Sequence, residues 1–323
     1  GCTAQSSPDK IAEIDGVCAV CGNAEKLRCA ALAAQLIDGQ KNNKTSIYVP
    51  DIQNAPFEKM SLCSFPRTRV YIKIEDGCEN HCAYCAIPAA RGSIRSKLPD
   101  DVIDEVSAFV QDGCPEIVLT GIETASYGRD LEGVTLADLL CRVDAICDKT
   151  RIRLGSIYPT LLNEEFVSKI SGLKHIAPHF HISLQCGSTK TLAAMNRRYT
   201  AEQAASAMAR LRKVMPNVMF TTDVIVGFPG ENEKEFAETR EFLIKNRFTL
   251  LLSTVSTRSF LTPLKDIFSI FVRGVIWSSI FAKTIILNSF SRSSSSTHMS
   301  PVKRYSFKFP LPTGVQLVIF TLL

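Results

Sequence analysis

The sequence predicts an α/β fold in the form of a partial (β/α) barrel, and three observations indicate it. Between residues 68 and 248, β-rich runs alternate with amphipathic helical runs that end at Gly, Pro or Asn. The connections between these runs are short, which favours parallel strands joined by right-handed crossovers. Residues with distinctive chemistry follow directly after the strands, at the edge where barrels of this kind carry their active sites.

The predicted elements alternate along the whole of this region. The first helical run places Ile103, Val106 and Val110 on one face, and the next run is short and apolar, as is typical of a buried strand. The predicted order is strand 68–74, helix 99–111, strand 116–120, helix 135–147, strand 151–155, helix 162–170, strand 179–184, helix 201–214, strand 218–226 and helix 231–246. Strand and helix therefore follow one another without a break up to residue 246.

The net charge of +5 comes from the C-terminal segment. Residues 249–323 hold eight basic residues and one acidic residue, so this segment carries +7 and the rest of the chain −2. The charge of the central region therefore does not indicate nucleic-acid binding. The segment also lacks Glu, is rich in Ser and Phe, and contains the serine run 293–296. Its apolar run 267–287 includes Arg273 and Lys283, and because charges are costly inside a bilayer we expect no membrane span.

Twelve cysteines occur in the 323 residues. This density is below that of a small disulfide scaffold, and the sequence opens without a signal-peptide pattern. We therefore expect most of these cysteines to be reduced thiols or metal ligands in a cytoplasmic protein.

Three of the cysteines, Cys78, Cys82 and Cys85, lie in one loop after the first strand with the spacing CxxxCxxC. Three thiolates at this spacing can bind one compact metal centre, and on a cubic iron–sulfur cluster they leave one iron open for chemistry. Two alternatives stay open at this point. One is a zinc site with His81 as a fourth ligand, and the other is a set of three unrelated core cysteines.

The spacing resembles the signature of the radical S-adenosylmethionine (SAM) enzymes, and residues 69–247 resemble the radical SAM domain of the methylthiotransferases. The segments that carry this resemblance are 73–78, 87–92, 95–96, 119–121, 183–188, 195–199 and 223–231. Two of the segments, 87–92 and 119–128, look most like the enzymes that act on N6-threonylcarbamoyladenosine at position 37 of tRNA. The resemblance covers more than half of the chain.

The resemblance implies a transferase that adds a methylthio group to C2 of that adenosine. It implies a [4Fe-4S] cluster on Cys78, Cys82 and Cys85, with SAM on the open iron and an electron donor such as flavodoxin or ferredoxin. Gly121 is expected to let the backbone approach the ligand closely. The implied cofactor-binding residues are Tyr84, Gly121, Glu123, Arg153, Ser156, Gln185 and Gly227.

Five of these seven residues also have an ordinary structural interpretation. Tyr84 is expected to stack on the adenine of SAM, but it is also compatible with core packing. Glu123 is expected to receive the SAM ammonium group, although a glutamate after a strand is often a solvated loop residue. Arg153 is equally suited to an ion pair outside the barrel, Gln185 to a loop amide, and Gly227 to a tight turn between strand and helix.

The methylthiotransferases also carry an N-terminal α/β domain whose three cysteines hold a second [4Fe-4S] cluster. Residues 1–5 resemble the segment with the third of these cysteines, so the resemblance assigns this role to Cys2, and the two earlier cysteines are not in this chain. Cys18 and Cys21 form a CxxC pair that we interpret as incidental. Since the chain begins with Gly1, we expect an N-terminal truncation.

The sequence is therefore divided into four segments. They are a remnant of the N-terminal domain at 1–26, a linker at 27–67, the radical SAM core at 68–248, and a divergent or out-of-frame tail at 249–323. In the family, the last barrel strand and a β-barrel domain that binds RNA occupy the place of this tail. We find neither pattern there and expect impaired tRNA binding.

The resemblance makes tRNA the implied partner, and four arginines are expected to contact its phosphates, namely Arg91, Arg95, Arg197 and Arg198. Two alternative functions are a methylthiotransferase that modifies a ribosomal protein aspartate, and a catalytically incomplete fragment that binds SAM or a cluster.

Overall fold

A computed structural model describes residues 1–37, 45–59 and 68–255, together with the short strands at 304–305 and 318–321. These residues form two compact units. The first unit consists of 1–183 and 193–219, and the second consists of 184–192 and the described residues from 220 onward. The predicted core at 68–248 therefore contributes to both units.

The N-terminal part of the first unit contains helices and one pair of parallel strands. The elements are α1 (Cys2–Ser6), α2 (Pro8–Ala12), β1 (Ala19–Cys21), α3 (Lys26–Ile37) and β2 (Ser46–Tyr48). Strands β1 and β2 pair in parallel, with Val20 opposite Ile47. The segment 27–67, expected as a linker, thus contains α3 and β2. The helix forms there because its sequence is rich in Ala and Leu, which have high helix propensity.

The rest of the first unit alternates short strands with helices. The elements are β3 (Val70–Lys73), β4 (Glu75–Asp76), α4 (Ile87–Arg91), β5 (Arg95–Ser96), α5 (Pro99–Gln111), β6 (Glu116–Thr120), α6 (Leu136–Ile146), β7 (Arg151–Leu154), β8 (Ser156–Ile157), α7 (Glu164–Ile170), β9 (His179–Gln185), α8 (Thr189–Ala194) and α9 (Ala201–Val214). Strands β3, β6 and β7 form a parallel sheet with β6 in the centre, and β8 is parallel to β9. Both β9 and α8 continue from one unit into the other.

The core of the first unit lies against this parallel sheet. Leu119 of β6 is opposite Ile72 of β3 and Leu154 of β7, and all three side chains are buried. Helix α6 begins at a capping box in which Thr135 and Asp138 exchange hydrogen bonds. The strand positions are therefore fixed by apolar packing across the sheet, and the helix start is fixed by local polar chemistry.

Helix α5 presents a different face to the core than the sequence predicted. Val102, Val106 and Phe109 are its buried apolar residues, whereas Ile103 and Val110 are only half-buried. The rotation is accompanied by burial of Glu105, whose carboxylate forms an ion pair with Lys97 Nζ. A periodicity count treats Glu105 as a solvent-facing position, and for that reason it places the helix face incorrectly.

The second unit is built on parallel strands. It contains β10 (Met219–Val226), α10 (Glu233–Lys245), β11 (Leu250–Val255), β12 (Arg304–Tyr305) and β13 (Val318–Thr321). Strand β11 is parallel to β10 and to β13, and β12 is antiparallel to β13. Strand β11 thus lies within the tail, where we expected no strand. Its short run of Leu, Ser, Thr and Val is compatible with a strand, and the change in composition after residue 248 obscured this.

No helix in the described part of the chain is both long enough and apolar enough to cross a membrane. The apolar run 267–287, for which we expected no membrane span, lies outside the described residues.

Candidate metal centre

The loop between β4 and α4 brings the three predicted cysteines to one cavity. Cys78, Cys82 and Cys85 line a cavity of about 350 Å³ together with His81 and Gln53. Cys82 is buried, and the other two cysteines are half-buried. We refer to residues 77–86 as the cluster loop. The structure therefore brings together the three thiols that the sequence predicted to act as one ligand set.

Backbone geometry fixes the start of the cluster loop. Gly77 has a φ of 89°, and a Cβ atom at this position would collide with the carbonyl oxygen of Ser93. The amide of Cys78 donates to the carbonyl oxygen of Gly92 at 3.1 Å. The amide of Cys85 donates to the carbonyl oxygen of Cys82 at 3.0 Å. Glycine at position 77 is thus required for the loop to turn in front of α4.

A buried group of charges holds the residue just before this turn. The Asp76 carboxylate accepts a hydrogen bond from the Gly77 amide at 2.9 Å and forms ion pairs with Lys73, Arg91 and Arg95. Burial raises the pKa of Asp76, but these three cations outweigh it and lower the pKa below its usual value. Arg91 and Arg95, which we expected to contact tRNA phosphate, are therefore committed to an internal carboxylate.

The other two arginines of that prediction differ from each other. The Arg197 guanidinium donates to Cys82 Sγ at 3.4 Å and to the carbonyl oxygen of Ser183, so it too is held inside the first unit. Arg198 is exposed, and the prediction of a phosphate contact still applies to it. The sequence pattern alone does not distinguish these two neighbours, because the distinction comes from distant residues.

Two buried glutamates lie beside the cluster loop. Asn80 Nδ2 donates to Glu123 Oε2 at 3.1 Å, and the Glu123 amide donates to Glu75 Oε2 at 2.7 Å. Among the described residues, Oε1 of Glu123 and Oε1 of Glu75 are buried without a hydrogen-bond partner. Buried polar atoms normally have partners, so these two oxygens indicate a place for a polar or cationic ligand.

Burial dominates the electrostatics of this pair. Burial raises the pKa of Glu123 to about 7. Burial, helped by the charges of Asp76 and Glu123, raises the pKa of Glu75 to about 8. Glu123 was predicted as a cofactor residue. Glu75 was not, although it lies in one of the segments that carry the resemblance, because nothing in the local sequence shows that its side chain is buried next to Glu123.

Gly121 lies against the Glu75 side chain, and its expected close approach to the cofactor stays a prediction. A Cβ atom at Gly121 would lie 2.5 Å from Glu75 Oε2 and 3.0 Å from Glu75 Cβ. The close approach that glycine permits is therefore to the Glu75 side chain. Gly121 gives this carboxyl group the space it needs to reach the Glu123 amide.

Burial also governs the first cysteine. It raises the pKa of the Cys78 thiol to about 11, and the nearby charges of Glu123, Cys82 and Cys85 act in the same direction. Metal binding replaces the thiol protons and removes this penalty, since the ligand form is the thiolate.

Tyr84 and Arg153 have different surroundings. Tyr84, inside the cluster loop, is 40% exposed as a residue, and its phenol group lies near Cys82 and Arg197. Its stacking on a cofactor stays a prediction. Arg153 donates from Nε and Nη2 to the two carboxylate oxygens of Glu116, both at 3.0 Å. Glu116 is the first residue of β6, at the opposite end of that strand from Gly121. Arg153 therefore takes the ion-pair role that the sequence left open, away from the three cysteines.

The remaining predicted cofactor residue of the first unit is Ser156, an exposed residue at the start of β8, opposite His181 in register. Its cofactor contact stays a prediction.

Two predicted cofactor residues belong to the second unit. Gln185 ends β9 with a φ of 68°. Gly227 follows β10 with a φ of 72°, and its amide donates to Glu231 Oε2 at 2.6 Å. Asn232 caps helix α10. The turn after β10 is therefore held together by Glu231, as expected for a strand-to-helix connection, and the cofactor roles of Gln185 and Gly227 stay predictions.

Cys2 lies in helix α1 and contacts the residue at the end of α4. Arg91 Nε donates to Cys2 Sγ at 3.2 Å, and Asn23 Nδ2 approaches it at 3.8 Å. Burial raises the pKa of this thiol, but the hydrogen bond and charge of Arg91 outweigh it and lower the pKa below its usual value. The lowered pKa favours the thiolate form of Cys2, and the role of Cys2 as a ligand of a second cluster stays a prediction.

Comparison with known proteins places this geometry in a family. The model of the radical SAM superfamily matches residues 72–243, which is more than half of the chain and includes all three cysteines of the cluster loop. The chain belongs to the radical SAM superfamily. Membership implies a [4Fe-4S] cluster and SAM, and it confirms the predicted partial α/β barrel.

Similarity to individual proteins indicates which class of radical SAM enzyme the chain resembles. The chain is 38% identical over 255 residues to the threonylcarbamoyladenosine tRNA methylthiotransferase MtaB of Bacillus subtilis (strain 168), covering 78% of this chain and 56% of the relative. It is 36% identical over 207 residues to the tRNA-2-methylthio-N(6)-dimethylallyladenosine synthase of Desulfitobacterium hafniense (strain Y51), covering 64% and 46%. The predicted resemblance to radical SAM methylthiotransferases is confirmed. The chain spans about half the length of these curated relatives.

A solved structure agrees with the fold. The apo form of the cobalamin-dependent S-adenosylmethionine radical enzyme OxsB matches with a TM-score of 0.50 at 12% identity, covering 69% of this chain and 35% of that chain. At this identity the likeness shows the fold alone.

The donor set of the cluster loop suits the cofactor that radical SAM membership implies. In a cubane, each cysteine binds a different iron atom, so the thiols surround a volume and need not converge on one point. Cys78, Cys82 and Cys85 all line one open cavity here. Cys78, Cys82 and Cys85 therefore fit a cluster.

Proposed function

We propose that this chain contains the catalytic core of a tRNA methylthiotransferase that modifies C2 of N6-threonylcarbamoyladenosine at position 37. The observation that carries the proposal is the similarity to the Bacillus subtilis enzyme over 78% of the chain, a stretch that contains the cluster loop. Cys78, Cys82 and Cys85 are the proposed ligands of the [4Fe-4S] cluster. The proposed setting is cytoplasmic, where tRNA and a flavodoxin or ferredoxin donor are present.

The residues around the cluster loop have separate tasks in this proposal. When bound, the cluster and SAM supply a 5'-deoxyadenosyl radical for hydrogen abstraction. Glu123 receives the SAM ammonium group on its unpartnered Oε1, because a cation is the partner that a buried carboxylate lacks. Asn80 and Glu75 orient the carboxylate and the backbone of Glu123. Tyr84, which is 40% exposed, stacks on the adenine in this proposal.

Cys2 is the proposed ligand of a second cluster, the source or carrier of the inserted sulfur. The Arg91 guanidinium favours the thiolate form that metal binding needs.

Iron and sulfide analysis after anaerobic reconstitution tests the cluster. We expect about four iron atoms per chain, as for one cubane, and their loss when Cys78, Cys82 and Cys85 are all replaced by Ala. The matched control is a variant in which Ala replaces Cys114, Cys141 and Cys147, since these cysteines lie outside the cavity. Zinc in place of iron, or iron that survives the first replacement, contradicts the assignment.

Incubation with SAM, reductant and substrate tests the reaction. We expect 5'-deoxyadenosine from SAM, and a methylthio group on tRNA only if the second cluster forms. A tRNA with N6-dimethylallyladenosine is the second substrate to include, because the Desulfitobacterium hafniense relative is named for that product. The alternative of a ribosomal protein aspartate is not favoured by these relatives, and modification of that protein alone would refute the tRNA proposal.

A further inference from the structure

The segment Met195-Asn196-Arg197 holds the cluster loop around its middle cysteine. The Met195 carbonyl oxygen accepts a hydrogen bond from the Ala83 amide at 3.0 Å. Asn196 Nδ2 donates to the His81 carbonyl oxygen at 2.8 Å. Arg197 Nη1 donates to Cys82 Sγ at 3.4 Å. Three consecutive residues therefore contact three consecutive residues of the loop, and we call this segment the 195–197 turn.

The backbone of the 195–197 turn supports this arrangement. Asn196 has a φ of 58°, in the left-handed region, which Asn tolerates better than most residues. Helix α8 ends just before the turn, and the capping box of Thr200 and Gln203 starts helix α9 just after it. The turn is thus fixed at both ends by helices.

Arg197 is held on several sides. Its Nε donates to Tyr199 Oη at 3.1 Å, and its Nη2 donates to the Ser183 carbonyl oxygen. Its Cζ lies 4.2 Å from the centre of the Tyr158 ring and 5.2 Å from that of Tyr199. The two rings meet edge to face at 5.0 Å. The guanidinium is therefore confined between aromatic rings and a carbonyl oxygen, with one NH group directed at the Cys82 sulfur.

We propose that Arg197 is a positioning residue that acts on the cluster through Cys82, by fixing the ligand sulfur and raising the reduction potential of the cluster. The proposal rests on the proposed cluster ligands. One electron from the donor adds one negative charge to the cluster, and a fixed cation beside a ligand sulfur stabilises that reduced form. Arginine stays charged throughout the working pH range. Cys82 is the buried member of the three ligands, so water screens the charge least at this position.

Redox titration of the reconstituted protein, followed by the electron paramagnetic resonance signal of the reduced cluster, tests the proposal. Arg197→Met removes the charge and keeps most of the length. At the wild-type midpoint, we expect its ratio of reduced to oxidised cluster to be about tenfold lower, a negative shift of about 59 mV for a one-electron couple. Arg198→Met is the matched control, because the Arg198 side chain is exposed, and we expect its midpoint to equal that of the wild type.

Two further variants keep the test decisive. Arg197→Lys retains the charge and is expected to shift the midpoint less than Arg197→Met. Tyr199→Phe removes only the hydroxyl group that accepts from Arg197 Nε, and a smaller negative shift is expected. It replaces Arg197→Met as the decisive variant if the latter does not retain its iron.

The outcomes separate this inference from the proposed function. An Arg197→Met protein with full iron content and an unchanged midpoint overturns the role of Arg197 and leaves the cluster ligands in place. If Arg197→Met loses its iron, an unchanged midpoint in Tyr199→Phe overturns the role instead. Iron that remains after replacement of all three cysteines refutes the proposed ligands themselves.

Discussion

Strand β6 has a buried glutamate at its first residue and another three residues beyond its last, and their surroundings are opposite. Glu116 opens the strand, with both carboxylate oxygens bonded to Arg153 and with Arg69 and Arg151 nearby. Glu123 has one oxygen on Asn80 and, among the described residues, one buried oxygen without a partner. The first carboxylate is complete within the protein. In the proposed function, a ligand completes the second.

The electrostatics follow the same division. The hydrogen bond to Arg153 lowers the pKa of Glu116, and the charges of its three arginines add to this. Burial raises the pKa of Glu123 and of its neighbour Glu75. Next to the C-terminal end of β6, the environment of these two glutamates therefore disfavours their ionised form. In many proteins such environments are found at functional sites.

Glu123→Gln is the change with the largest expected effect at the ligand end of β6. Loss of one charge-assisted hydrogen bond to the SAM ammonium is worth about 1.5–3 kcal/mol, which weakens SAM binding roughly 10- to 100-fold. Equilibrium binding of SAM to the reconstituted protein measures this. Glu116→Gln is the control with unchanged SAM affinity, and equal losses in both variants would contradict the division between the two ends.

Glu75→Gln is expected to change how the free energy of unfolding depends on pH. The folded pKa of Glu75 is about 8, against an ordinary value of 4.5, so the unfolded state binds fewer protons between these pH values. Stability from this group is complete below pH 4.5 and falls as the pH rises toward 8. Glu75→Gln removes this pH dependence. Between pH 6 and pH 8, the free energy of unfolding of the variant is therefore expected to rise by about 2 kcal/mol relative to that of the wild type.

Urea unfolding of the metal-free protein at several pH values measures the effect of Glu75→Gln. The same measurements on Glu116→Gln should show the opposite sign, since a carboxyl group with a lowered pKa stabilises the folded state above its ordinary pKa and stops doing so in acid. Parallel pH profiles for the two variants would show that the two ends of β6 do not differ.

Gly121→Ala tests the space beside Glu75. Because the added methyl group lies 2.5 Å from Glu75 Oε2, we expect a loss of about 1–3 kcal/mol in the free energy of unfolding. Gly172→Ala is the control, since its Cβ meets nothing within 4 Å and its φ is not positive. A Gly121→Ala protein as stable as that control would mean that Glu75 moves away without cost.

Glu116→Gln at neutral pH is the smallest of these effects. Its arginines are partly exposed, so solvent screening limits the expected loss to about 1 kcal/mol in the free energy of unfolding. Urea unfolding in low and high salt provides the check. The loss should shrink at high salt, and a loss that does not depend on salt would assign the effect to packing.

The sequence predicted the strand order and the three thiols because both depend on local patterns. Alternation of strand and helix located β6, and the CxxxCxxC spacing located the cluster loop. The roles of Glu75 and Arg197 could not be predicted in this way. Each depends on a partner more than 40 residues away in the chain, Glu123 in one case and Cys82 in the other.

The same reason explains the errors. Arg91 and Arg95 have the sequence context of a phosphate-binding pair, but both form ion pairs with Asp76. Helix α5 has a periodic apolar face, but its buried face also includes Glu105, which is paired with Lys97. In each case a buried charge found its partner through tertiary contact, and periodicity and composition are insensitive to such pairs.

The wall of the cluster cavity sets a limit on where the chain can be cut. Gln53 lines the cavity, Gly92 packs against the Ile52 carbonyl group, and Arg95 donates to the same oxygen at 3.3 Å. A fragment that starts at residue 68, where the sequence places the core, would lack this wall and expose Cys78 and Cys85 to solvent and oxygen. A fragment that starts at residue 45 keeps the wall and should retain its iron longer in air.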